Sequence, residues 1–204
     1  MPAHRGNTPD RILAAAREIF LQRGYSGASI QQIADAVGIS APGIYKHFGG
    51  KDALFSALVE PMIAGMREIM GLAEAEKDAL FRRDRAADVW DKAAAYAQAL
   101  DFIYDHFADM KLLVCRAAGT PYENIVDRIA DRESDVILRT LPRLREKGMP
   151  VPEIDPETIR IMMRHQYRTC VEFIYNDCPR PEAERYLETV NAFFTAGWRQ
   201  LLGF

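Results

Sequence analysis

The sequence predicts an all-α protein with an N-terminal three-helix head containing a helix-turn-helix, a linking helix, and a C-terminal helical body. Three observations predict it. Apolar residues recur at helical spacing through most of the 204 residues. No segment alternates with period two for long enough to make a strand, and no repeat or low-complexity tract interrupts the pattern. Helix-start signatures punctuate the chain at Thr8-Pro9-Asp10, Ser29-x-x-Gln32 and Asp155-Pro156-Glu157. The division is expected at residue 50, giving a head of residues 1–50 and a body of residues 51–204.

The first helix is expected to open on Thr8 as cap, with Pro9 and Asp10 in its first turn, and to run to about Gly24. Ile12, Ala16, Ile19 and Phe20 give it one buried face. The Ser29/Gln32 capping box opens a second helix that buries Ile30, Ile33, Ala34 and Val37, and Gly38 ends it. Ser40 is expected to cap a third helix over 40–48, where Pro42 is tolerated because first-turn amides have no intrahelical partner. A fourth begins near Lys51, carries Leu54, Phe55, Leu58, Met62, Met66 and Met70, and should kink at Pro61.

Beyond the polar run "EAEKDALFRRDRAAD", helices are expected over about 86–106 and 109–118. Thr120-Pro121-Tyr122-Glu123 reads as a second capping box, opening a helix to about Lys147 that Pro142 bends. After the loop "GMPVPEIDP" come helices at about 156–176 and 182–202.

Composition narrows the function. Cys115, Cys170 and Cys178 are odd in number and widely spaced, which suits free thiols in a reducing compartment and neither a disulfide framework nor a zinc site. The N-terminus "MPAHRGNTPD" has no apolar signal core, and no window approaches the roughly 18 apolar residues of a membrane span. The expected address is the cytoplasm, with no membrane partner. Net charge is −3 but unevenly placed: residues 1–50 hold five Lys/Arg against three Asp/Glu, and residues 51–204 hold 21 against 26. A basic head on an acidic body suits an anionic partner met by the head.

The spacing of Ala34, Gly38 and Ile44 is that of a helix-turn-helix: the small residue permits close crossing, the glycine accepts a left-handed turn, and the isoleucine anchors the second helix. The outer face of that helix is then free for DNA. Ala41, Pro42 and Gly43 make a low-profile first turn able to enter a major groove, and Tyr45, Lys46 and His47 can reach phosphates or base edges. Lys51 stands where the helix dipole disfavours a cation, a cost that a phosphate partner would offset, and Ser29, at another helix start, is placed to help hold one.

The stretch "RILAAAREIFLQRGYSGASIQQIADAVGISAPGIYKHFGGKDALF" resembles the DNA-binding region of the tetracycline-repressor (TetR) family of bacterial transcriptional regulators, over about a quarter of the chain. The resemblance implies a homodimer that binds a palindromic operator in double-stranded DNA, represses transcription, and carries a helical body that often takes a small-molecule inducer. By motif position it assigns Ser29, Ser40, Tyr45, His47 and Lys51 to phosphate or positioning contacts, and Ala41, Pro42, Gly43 and Lys46 to the groove. Gly49-Gly50 departs from the family, whose members commonly place a polar capping residue before the lysine.

Other classes fare worse. A protein-binding helical adaptor remains the alternative, since helix-turn-helix geometry also serves protein contacts; two lysines on one short face favour nucleic acid. A di-iron enzyme would need Glu-x-x-His pairs, yet Ile103 and Met162 precede His106 and His165 by three. No G-x-S-x-G, H-E-x-x-H or phosphate-loop pattern occurs, so no catalytic residue, metal or cofactor is expected. On the last helix, Tyr186, Val190, Phe194, Gly197, Trp198 and Leu201 lie in an apolar stripe wider than one neighbour needs, which with helix 156–176 suits a four-helix dimer interface. The resemblance places an effector pocket in the body, where Met66, Met70, Phe102, Phe107, Cys115, Met163, His165, Gln166 and Phe173 are candidates by type.

Overall fold

The computed structural model describes residues 7–82 and 93–202; the N-terminal Arg5 and the helix start expected at residue 86 lie outside them. The described residues hold nine helices and no strand: α1 (Thr8–Gly27), α2 (Ile30–Val37), α3 (Ala41–Tyr45), α4 (Lys51–Arg82), α5 (Ala93–Asp105), α6 (Phe107–Cys115), α7 (Ile125–Glu146), α8 (Pro156–Tyr175) and α9 (Arg180–Leu202). They gather into two compact units. One takes the described residues of 1–67 together with 105–124, and the other those of 68–104 together with 125–204.

In the first unit, α1 starts one residue earlier than expected. Asn7 is the cap, its side chain accepting from the Asp10 amide at 3.1 Å, and Thr8 lies inside the helix. Asn is at least as good a cap as Thr, so the proline is what fixes the place and the better acceptor takes the bond. Regular helix stops at Gly24, whose φ of 69° and ψ of 169° turn the chain before Tyr25. The capping box on α2 forms in full: the Gln32 amide donates to Ser29 Oγ at 3.2 Å, and the Ser29 amide donates to Gln32 Oε1 at 3.0 Å. Gly38 ends α2 at φ 75° and ψ 34°, the left-handed conformation the helix-turn-helix requires.

Two local expectations for the third helix are corrected, and the fourth helix runs on past its apolar residues. Ser40 occupies the cap position of α3 but its side chain makes no capping bond. α3 is five residues long, shorter than the expected 40–48, and single turns bonded to the Ile44 carbonyl carry the chain on to Phe48. α4 is helical through Pro61 and beyond the apolar run to Arg82, a polar extension that apolar periodicity alone does not reveal.

The Thr120 capping box does not form. Thr120 Oγ1 donates to the Ala117 carbonyl and accepts from the Tyr122 amide, Glu123 accepts from the Gly119 amide, and Asn124 sits at φ 60°. That left-handed residue ends the turn, so α7 starts only at Ile125.

In the second unit, α7 packs on α8 and α8 on α9. Ala130, Ile137, Leu141 and Leu144 of α7 share a core with Ile159 and Met163 of α8, Trp198 and Leu202 of α9, and Val151 from the connecting loop. Along the α7–α8 seam three ion pairs repeat at four-residue steps on antiparallel helices: Asp127 with Arg168 (2.6 Å), Asp131 with Arg164 (2.7 Å) and Asp135 with Arg160 (2.7 Å). The spacing follows from i, i+4 neighbours standing one above another on each helix, so the ladder fixes the register of the two. Asp155 caps α8 by accepting from the Thr158 amide at 2.9 Å, as its sequence signature requires. Tyr104 of α5 stacks on Phe173 with centroids 5.9 Å apart and donates to the Cys178 carbonyl at 2.7 Å.

A candidate nucleic-acid interface on the third helix

The head presents α3 from behind. Ile44 is fully buried, as are Ile33 and Ala34 of α2 and Ile12, Ala16 and Phe20 of α1. Because Ile44 points inward, the residues next to it on α3 point outward: Tyr45 is 57% exposed, and Pro42, Lys46 and His47 are exposed as well. Ser29 and Ser40 are exposed at the starts of α2 and α3, while Ala41 and Gly43 are half-buried. Gly43 lies against Ile39, where an added Cβ would make ordinary contact at 3.5 Å. Eight of the nine predicted DNA-binding residues therefore belong to α3, its flanking turns and the cap of α2.

Lys51 is placed differently. Its ammonium donates to the carbonyls of Tyr25 (3.0 Å) and Ala28 (3.1 Å) and stands 4.2 Å from the centre of the Tyr25 ring. The cost of a cation at the start of α4 is thus offset within the chain, by carbonyls at the end of α1 and by an aromatic face. Tyr25 donates its hydroxyl to Asp52, and its ring contacts Phe20 and Phe55. Gly50, at φ 143°, supplies the turn that brings Lys51 to this corner, a conformation in which L side chains are strained. Arg11, a second cation of the head, is also engaged: it donates to the Val37 carbonyl at 2.9 Å and closes the end of α2.

The structure divides the other candidates. Met66, Phe107 and Cys115 are half-buried in the first unit, and Met70 and Phe102 are half-buried in the second. Met163 and Phe173 are almost fully buried, and His165 is exposed. Gln166 is buried because Trp198 donates its indole N–H to Gln166 Oε1 at 2.7 Å, which satisfies both polar groups. On α9, Val190 and Trp198 are buried. Tyr186 donates to the Thr169 carbonyl at 2.8 Å, and Phe194 and Leu201 pack against the core. Gly197 is exposed with nothing near the place of a Cβ. Phe193, which the sequence places in the same apolar stripe, is 73% exposed, and sequence reasoning missed Ile161 of α8, 48% exposed.

Among the described residues no helix is long and apolar enough to cross a membrane. Residues 12–58 match the family model for bacterial regulatory proteins, tetR family. The HTH-type transcriptional repressor AcnR of Corynebacterium glutamicum is 39% identical over 71 residues, which is 33% of this chain and 38% of AcnR. The chain spans 29% to 40% of the length of the curated relatives it matches.

Two solved structures share the fold over nearly the whole length. NalD, the secondary repressor of the MexAB-OprM multidrug efflux pump in Pseudomonas aeruginosa, is 22% identical, with 90% of this chain and 94% of NalD covered and a TM-score of 0.55. FadR of Bacillus subtilis, solved with stearoyl-CoA, is 16% identical, with 89% and 96% covered and a TM-score of 0.53. The head, residues 12–58, is thus matched in sequence to the tetR family's regulatory proteins, and the helical architecture of the chain is shared in space with solved structures of that fold.

Proposed function

We propose that this protein is a DNA-binding transcriptional regulator that works as a homodimer and represses by occupying a palindromic operator. The observation that carries the reading is the outward face of α3, where Tyr45, Lys46 and His47 are exposed around a fully buried Ile44. Lys46 and His47, with the hydroxyls of Ser29, Ser40 and Tyr45, address phosphates and base edges, and Ala41, Pro42 and Gly43 keep the first turn low enough to enter the groove. Lys51 acts from behind as a clamp on the head. A two-fold dimer sets its two α3 helices about one DNA turn apart, roughly 34–36 Å. Its interface is assigned to α8 and α9, where Ile161, Phe193 and Gly197 are exposed.

The helical body is the seat of a small-molecule effector, a role supported by the stearoyl-CoA in the FadR structure and, within the second unit of this chain, by the half-buried Met70 and Phe102. No catalytic role is assigned to any residue. By linkage, an effector that weakens operator binding must itself bind the operator-bound form less tightly, by the same factor.

The test is the salt dependence of operator binding, which separates DNA from a protein partner. Phosphate contacts make log K fall linearly with log salt, by about 0.9 per phosphate neutralised. Lys46→Ala should shallow the slope. Binding that does not respond to salt would return the head to the adaptor reading.

A further inference from the structure

Residues 105–124 lie in the same compact unit as the helix-turn-helix although about 75 residues separate them from the start of α2 in sequence, and their contacts run to both of its ends. On α6, Asp109 accepts two hydrogen bonds from Arg17 of α1, to Nε at 2.5 Å and to Nη2 at 2.9 Å. Asp109 is only 14% exposed, and the pair raises the pKa of the guanidinium. After α6, the Arg116 carbonyl accepts from the Tyr25 amide at 3.1 Å, and the Ala118 carbonyl accepts from Ser26 Oγ at 3.0 Å. Gly119, at φ 85°, passes so close that a Cβ there would stand 2.9 Å from Ser26 Oγ. Tyr122 then donates to Glu60 of α4 at 2.6 Å, lies 3.0 Å from Ser56 Oγ, and sets its ring 6.1 Å from that of Phe55.

These contacts meet at one corner. Tyr25 and Ser26 close α1 just before the helix-turn-helix, and Phe55, Ser56 and Glu60 follow it at the start of α4. The same corner holds Lys51. A segment that grips the entry and the exit of the helix-turn-helix sets the angle between α1 and α4, and so the orientation of α3.

We propose that residues 107–122 are a strap belonging to the DNA-reading head, in which Asp109 and Tyr122 are positioning residues that hold α3 at the angle operator recognition needs. Neither residue touches DNA. The proposal rests on the DNA-binding reading above and adds a fixed part of the head that lies outside the matched residues 12–58. Bidentate geometry makes Asp109 the specific element, because two parallel bonds fix direction as well as distance.

The experiment compares wild type with Asp109→Arg, the charge-swapped pair Arg17→Asp/Asp109→Arg, and Tyr122→Phe. Two readouts are taken. The first needs no DNA: hydrogen exchange of the Tyr25 amide, which the Arg116 carbonyl holds. It should quicken at least about tenfold in Asp109→Arg and recover in the swapped pair. The second is binding to the selected palindrome and to copies with half-sites moved apart or together by one base pair. Asp109→Arg and Tyr122→Phe should lose at least about tenfold on the palindrome and discriminate spacings less, while affinity for random DNA, set by charge, does not fall. The swapped pair should regain both.

Wild-type affinity and spacing preference in Asp109→Arg and Tyr122→Phe would overturn the proposal, as would unchanged exchange at Tyr25. If wild type selects no DNA, the functional reading fails and the proposal that rests on it is overturned with it; altered exchange with swap rescue would then show the tether alone. Should Asp109→Arg fail to fold, Tyr122→Phe carries both readouts.

Discussion

Replacing Lys51 with methionine removes the ammonium and keeps most of the stem. The structure assigns that ammonium to two carbonyls, at 3.0 and 3.1 Å, and to the Tyr25 ring at 4.2 Å. A hydrogen bond from a charged donor contributes about 1.5–3 kcal/mol. A cation–π contact adds about 0.5–1 kcal/mol at an exposed site. One ammonium makes all three contacts, and it is half-buried, so the contributions do not sum; a loss of about 2–3 kcal/mol from the first unit is expected. Denaturant unfolding of the full chain, followed by a probe in the head, measures it.

The second assay is operator binding against salt. A clamp leaves the salt slope where it was, since no phosphate contact has been lost, whereas a lysine on a phosphate takes about one from the slope at each head. Wild-type stability in Lys51→Met, together with a shallower slope, would refute the clamp and return Lys51 to the DNA backbone.

Three further outcomes follow from single contacts. Gly38→Ala has open space around the new methyl but must hold φ at 75°, so it should lose about 1–2 kcal/mol from strain alone, read as a lower midpoint with unchanged helix content. Trp198→Phe leaves buried Gln166 Oε1 without its donor and should lose about 1–3 kcal/mol from the polar group on top of any cavity; Gln166→Leu in the same background should recover part of it, and no recovery would show the bond to be unimportant.

Tyr122 holds its proton more tightly than an ordinary tyrosine, first through burial and then through its bond to Glu60. The stability this gives is fully present below the ordinary tyrosine pKa of about 10 and is lost as pH rises through the higher folded value. Tyr122→Phe should therefore show a flatter alkaline decline, and the loss of its bonds to Glu60 and Ser56 should make it less stable than wild type at neutral pH. Tyr104 and Tyr186 are raised by burial too, so the decline should not vanish.

Most of the head was legible because its signals are local. Ser29 and Gln32 are three residues apart and bond to each other, and Gly38 reports its own backbone angle. Thr120 and Glu123 have the same spacing as that capping box, yet they bond elsewhere while Tyr122 reaches Glu60 and Ser56 on α4. Contacts more than 60 residues away in sequence outweigh a local preference, and no window of sequence displays them. The strap is hidden for the same reason, since Arg17 and Asp109 are 92 residues apart.

Lys51 shows a subtler case. The dipole argument looks to a phosphate to offset a cation at the start of α4, whereas the chain supplies the carbonyls of Tyr25 and Ala28, which become candidates only after α1 has turned at Gly24. In the body, composition named Met163 and Gln166 as pocket residues by type, and packing put Met163 in the core and Gln166 beneath Trp198.

The most direct test of the central claim is the ratio of affinities for a palindrome selected from genomic fragments and for a scrambled copy, measured with wild type and with Tyr45→Ala/Lys46→Ala. Site-specific binding by a protein of this kind runs about 10³ to 10⁷ above non-specific binding. The expected result is a ratio in that range for wild type, collapsing toward one in the double variant with its fold and dimer intact. A wild-type ratio near one, or a high ratio that survives loss of both side chains, would contradict the assignment of operator recognition to α3.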